Sequence, residues 1–111
     1  MDLALVTGHG PALLPGWSGA LIRSEDAVAF GFRDGDESAR DGSQPLPAEL
    51  LGLDLPTVRS RGHEQAAQDA IAHLMRSDGP ESYWIHVDAD VLDDAVMPAV
   101  DYRQPGGPRR G

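Results

Sequence analysis

Apolar residues in this chain arrive in short bursts, each closed off by Gly, Pro or Asp. Ala27-Val28-Ala29-Phe30-Gly31-Phe32 follows the polar Ser24-Glu25-Asp26 and predicts a buried strand. Leu53-Asp54-Leu55-Pro56-Thr57-Val58 predicts a second short strand, weakened by Pro56. From His63 to Met75 the pattern is helical: Ala67, Ile71, Leu74 and Met75 recur at i, i+4, i+7 and i+8, with Glu64, Gln68 and Asp69 off that stripe. Ser77-Asp78-Gly79-Pro80 stops the helix, and Tyr83-Trp84-Ile85-His86-Val87 predicts the clearest strand. Residues 2–7 are a short apolar segment, helix or strand, broken by Gly8-His9-Gly10-Pro11. A loop with a turn at Pro15-Gly16 follows, and the polar stretch 33–45 predicts a long loop. Strand, loop, strand, helix, strand is the rhythm of a parallel α/β sheet in one domain over 1–111.

Composition narrows the function classes. A net charge of −9, from 18 acidic and 9 basic residues, argues against nucleic-acid and anionic-membrane partners, which need basic excess. With no Cys, disulfides, thiolate catalysis and Cys-based zinc sites are excluded. The opening Met1-Asp2-Leu3-Ala4-Leu5-Val6 has no basic region and its apolar run is too short for a signal or span, so the expected location is the cytoplasm. Thirteen Gly, nine Pro and 5% aromatic residues predict much loop over a thin core.

The chemistry concentrates after the last predicted strand, at the end where parallel sheets gather ligands. His86-Val87-Asp88-Ala89-Asp90-Val91-Leu92-Asp93-Asp94 holds four carboxylates. If the strand continues to residue 90, its period of two sends Asp88 and Asp90 to one face. Their repulsion there would call for a cation or donor between them, and hard oxygen ligands suit Mg, Mn or Ca. The alternative is a solvated acidic loop in which Asp93 or Asp94 caps a helix.

The longer string, with Pro98-Ala99 and Gly106-Gly107, resembles the ureohydrolase (arginase, agmatinase, formiminoglutamase) signature S-F-D-x-D-x-L-D-P-x-x-x-P-x-x-G-x-P-x-x-G-G. Both aspartates, Leu92-Asp93, Pro98 and the closing Gly106-Gly107 match in spacing. His86, Asp94, Asp101 and Arg103 stand where the family has Ser, Pro, Gly and Pro. The resemblance implies a three-layer parallel α/β fold and a centre of two Mn²⁺ ions, with Asp88 bridging them and Asp90 bound to one. Gly31-Phe32-Arg33-Asp34-Gly35-Asp36 resembles the family's G-x-R-D-x-D stretch, which implies a substrate-binding role for Asp36. An ion pair between Arg33 and Asp34 at a loop entrance is the competing reading of that stretch. Ala39 stands where arginases carry a further acidic residue, which argues against arginine itself as substrate.

The family's Gly-Gly-Asp-His and Asp-Ala-His-x-Asp elements do not occur in residues 1–111. By resemblance the chain corresponds to an internal-to-late part of a family member, after the proton-shuttling His-Gly and before the late Glu. The expected function is metal-dependent hydrolysis of a C–N bond in a linear amidine, a small guanidino compound, weak or absent in this chain alone. Alternatives are a non-catalytic ureohydrolase-like domain that associates with another chain, its own copy included, or an unrelated D-x-D domain binding a divalent metal. Among the imidazoles, His9 matches no family ligand, His63 and His73 are expected at the solvated surface, and His86 suits either a contact to Asp88 or a packed position.

Overall fold

The burst at 27–32 forms a strand in the computed structural model, which describes residues 3–9, 19–33, 35–40, 42–99 and 106–107, with the backbone alone for 36–38. The first helix, α1, spans Leu3–Val6, and β1 spans Val28–Phe30. Helix α2 spans Gly35–Arg40, strand β2 Leu51–Leu53, helix α3 Leu55–Arg61 and helix α4 His63–Leu74. Short 3-10 turns stand at Ser24–Asp26 and Ala89–Val91.

β1 and β2 pair in parallel, with Val28 opposite Leu51, Ala29 opposite Gly52 and Phe30 opposite Leu53. Parallel neighbours need a crossover, and here the connection contains α2. The stretch 33–45 is therefore not all loop. Arg40 in the last turn of α2 suits the helix dipole.

The second strand lies earlier than the apolar pattern predicts, at 51–53, because Asp54 turns the chain into a helix. Its Oδ1 accepts the N–H of Thr57 at 2.9 Å, and Pro56 sits in the first turn of α3, where a missing N–H costs no bond. Pro56 thus opens a helix rather than weakening a strand. At Gly62 (φ 86, ψ 141) the chain leaves α3 and enters α4 in a conformation that only glycine takes readily.

The core is small. Leu53, Val58 and Ala66 are buried together, with Leu51 and Ala70 packed against them. Burying one such Leu or Val side chain stabilises by about 1.5–3 kcal/mol. Helix α4 meets the sheet through Ala66 and Ala70, not through the stripe that its apolar spacing predicts: Ile71 is 46% and Met75 68% exposed. That helix carries a wider apolar arc than β2 and α3 cover. The chain at its far end is pinned to the 3-10 turn before β1. Arg76 Nη1 donates to Glu25 O at 2.8 Å, Arg76 Nη2 pairs with Asp26 Oδ1, and His73 Nε2 donates to Glu25 O at 2.8 Å. His73 is accordingly half-buried and bonded rather than solvated.

The largest difference from expectation is at 83–87. Residues 82–88 adopt no regular structure, and Trp84, Ile85 and Val87 are 67%, 79% and 74% exposed. A strand exists only through its ladder, and the described sheet has two members, β1 and β2. The turn predicted at Pro15-Gly16 lies outside the described residues.

Candidate functional site

The carboxyl ends of β1 and β2 form a platform for the acidic segment. Gly31 N–H continues the ladder to Leu53 O at 2.7 Å, and Leu55 N–H reaches Phe32 O at 2.8 Å. These bonds fix the backbone on which Arg33 stands, three residues beyond β1.

Asp88 is the last extended residue (φ −90, ψ 127) before the 3-10 turn Ala89–Val91. Val91 N–H bonds to Asp88 O at 3.2 Å and Leu92 N–H to Ala89 O at 3.3 Å. Because the chain turns there, the two-residue period does not run on to Asp90. Asp88 is exposed and Asp90 half-buried, and they are not carried on one strand face. This corrects the expectation of a shared face.

Arg33 holds the turn. Its Nη1 donates to Val91 O at 2.6 Å, and its Nη2 to Asp90 O at 2.8 Å and Leu92 O at 3.3 Å. The two segments singled out by the family resemblance therefore meet, although Arg33 and Val91 lie 58 positions apart. The hydrogen bonds described for Arg33 run to these carbonyls and clamp the turn; Asp34, its partner in the loop-entrance reading, lies outside the described residues.

Asp93 closes the segment from the other side and is completely buried. Its Oδ1 accepts the N–H of Ala95 and its Oδ2 that of Gly106, both at 3.0 Å. Its carbonyl accepts from Val96 N at 2.8 Å and Met97 N at 3.0 Å. Asp93 is thus a buried acceptor that ties the following turn to Gly106, rather than a solvated cap of a helix, since no helix follows among the described residues. Arg59, on α3, donates to Gly106 O at 2.6 Å. Gly107 is buried, and a Cβ there would collide with Asp93 N, Leu92 C and Val91 O. The second glycine of the closing Gly-Gly therefore has a packing reason, and the first, Gly106, a conformational one in its positive φ of 88°.

Asp36 lies in α2, with its side chain outside the described part of the structure. His9 is exposed, with Nδ1 3.2 Å from Thr7 Oγ1, and His63 and His86 are exposed. Among the described residues no three or more His, Asp or Glu side chains converge as a cation cage would require. Asp88 and Asp90 offer hard oxygen donors, but the described residues by themselves do not fit a two-cation centre.

Sequence reasoning assigned chemistry to the aspartates and missed what holds them. Arg33 and Asp93 both stand at matched positions of the family motifs, which was the available signal.

Comparison with known proteins agrees with these motifs. The sequence profile described as "Arginase family" matches residues 7–110. An N(omega)-hydroxy-L-arginine amidinohydrolase of Streptomyces lavendulae is 36% identical over 89 residues, which is 80% of this chain and 28% of that protein. The chain thus spans a little over a quarter of that relative's length. No solved structure matches. With almost its whole length matched, and with Arg33 joining the two motif segments, the chain belongs to the arginase family.

Proposed function

We propose that this chain forms part of the active-centre wall of a metal-dependent hydrolase that cleaves a C–N bond in a linear amidine. In this reading Asp88 and Asp90 offer carboxylates to Mn²⁺, and Asp36 orients the substrate's amino end. The surrounding fold would be a three-layer parallel sheet. The family is generally one of binuclear manganese enzymes, and the similar protein named above acts, by its name, on an N-hydroxyguanidine. A guanidino or N-hydroxyguanidino compound is therefore the substrate class.

The observation that carries the reading is the set of hydrogen bonds from Arg33 to the carbonyls of residues 90–92, which brings the Asp36 and Asp90 segments to one end of the sheet. Two carboxylates leave most of a divalent cation's coordination unfilled, so weak binding and little or no turnover are expected of the 111 residues alone. A second reading is a non-catalytic module that associates with another chain. It is favoured by the exposed Trp84, Ile85 and Val87.

Calorimetric titration of the full chain with Mn²⁺, paired with assays of urea and hydroxyurea release, separates the two. Weak Mn²⁺ uptake that Asp88→Asn reduces further, leaving a remainder held by Asp90, supports the metal reading. No uptake at millimolar Mn²⁺, or uptake unchanged in Asp88→Asn, overturns it and leaves the association reading.

A further inference from the structure

A three-residue 3-10 turn leaves its final carbonyls without partners inside the turn. In Ala89–Val91 the carbonyls of Asp90, Val91 and Leu92 all point to one guanidinium, that of Arg33. A cation at that end also suits the turn's dipole. The fork geometry matters, because Nη1 and Nη2 divide carbonyls from successive residues between them, which a point-like ammonium cannot do as well. The backbone that carries Arg33 is itself anchored: Gly31 and Phe32, just before it, are bonded through their main chains to Leu53 and Leu55.

We propose that Arg33 is a positioning residue, a strut that transmits the rigid end of β1 to the turn and thereby sets where the Asp90 carboxylate stands. The strut acts on one of the two carboxylates. Asp90 lies within the clamped turn, whereas Asp88 precedes it, exposed, at the end of the irregular segment 82–88. Asp90 is held by the clamped carbonyls on its own and the two following residues, whereas Asp88 joins the turn through its carbonyl alone, which accepts the N–H of Val91 at 3.2 Å. The part of this inference that concerns metal affinity rests on the functional reading above; the part that concerns the turn does not.

The test compares the full chain with Arg33→Gln and Arg33→Lys by site-resolved amide exchange. Arg33→Gln is expected to speed exchange at the Val91 and Leu92 amides about tenfold, the scale of losing a charge-assisted hydrogen bond. The Val58 and Ala66 amides, bonded to the carbonyls of Asp54 and Gly62 at the starts of α3 and α4, should hold their rates, and Arg33→Lys should recover part of the loss. Unchanged rates at Val91 and Leu92, or an equal rise at Val58 and Ala66, overturn the strut.

Mn²⁺ titration followed by electron paramagnetic resonance adds a readout that a general loss of stability would not sort. Arg33→Gln should weaken Mn²⁺ uptake in an Asp88→Asn background and have no further effect in an Asp90→Asn background. Equal effects in both backgrounds contradict the assignment to Asp90. If the unaltered chain takes up no Mn²⁺, the metal reading fails and the exchange rates alone decide the strut.

Discussion

The acidic turn at 89–93 and the apolar segment just before it have opposite fates. Tyr83 to Val87 has the composition of a strand, yet it runs without a ladder and exposes Trp84, Ile85 and Val87. The turn after it has the composition of a surface loop, yet Asp93 is fully buried and Arg33 clamps the carbonyls of 90–92. Apolar content supplies a driving force only where a complementary surface receives it, whereas directed polar bonds fix backbone wherever donor and acceptor meet. In this chain the order of the candidate site comes from polar ties to β1 and α3, not from its own hydrophobicity.

Substitutions can break that comparison at graded cost. Leu53→Ala removes a core side chain and should lower stability by about 2–5 kcal/mol in denaturant titration. A smaller loss would mean that the core at Leu53, Val58 and Ala66 is not what supports the platform.

Asp93→Ala deprives the Ala95 and Gly106 amides of their acceptor and should cost about 1–3 kcal/mol. The same change should also raise amide exchange at Gly106. An Asp93→Ala protein as stable as the parent would place Asp93 with the solvated carboxylates.

Acid should act on the rigid part as well. Hydrogen bonds from Arg23, with help from Arg76, hold the Asp26 carboxyl below its ordinary range. Bonds from Thr57, side chain first, lower Asp54, and bonds from Gln65 and then Arg61 lower Asp69. Because the folded values lie below the unfolded ones, their stabilisation is complete above about pH 4 and is lost as pH falls through the lowered values. Melting curves followed downward from neutral pH should show this decline, and Asp54→Ala should flatten it while lowering the midpoint at neutral pH. A midpoint that rises below pH 4 would contradict these assignments.

The smallest effect belongs to the apolar segment. Trp84→Ser or Ile85→Ser should change stability by no more than about 0.5 kcal/mol, because these side chains are already exposed. A large destabilisation would show that the segment is packed in solution and no different in kind from the turn that follows it.

Local pattern made part of this legible. β1 and α4 follow from short-range spacing, and both stand close to where the spacing puts them, Val28–Phe30 and His63–Leu74. The face of α4 was not legible, since Ile71 and Ala70 are alike in polarity class and only the partner surface chooses between them. Pro56 was misread because proline ends strands and opens helices, and Asp54 as a cap decides which. The strand at 83–87 failed for a non-local reason: its ladder depends on a neighbour that its own residues do not specify. Arg33 was equally hidden, because its partners are backbone carbonyls, which any residue carries. Burial of Asp93 runs against the usual exposure of aspartate and could be read only from fixed spacing to Gly106-Gly107.

The central claim is that residues 88–92 and the end of β1 form one carboxylate-bearing site. The most direct measurement is the broadening of amide NMR signals by substoichiometric Mn²⁺ on the full chain. The account predicts broadening centred on residues 88–92 and reaching Arg33. Broadening that leaves 88–92 untouched, or that spreads evenly over Glu25, Glu49, Glu64 and the other surface carboxylates, would contradict it.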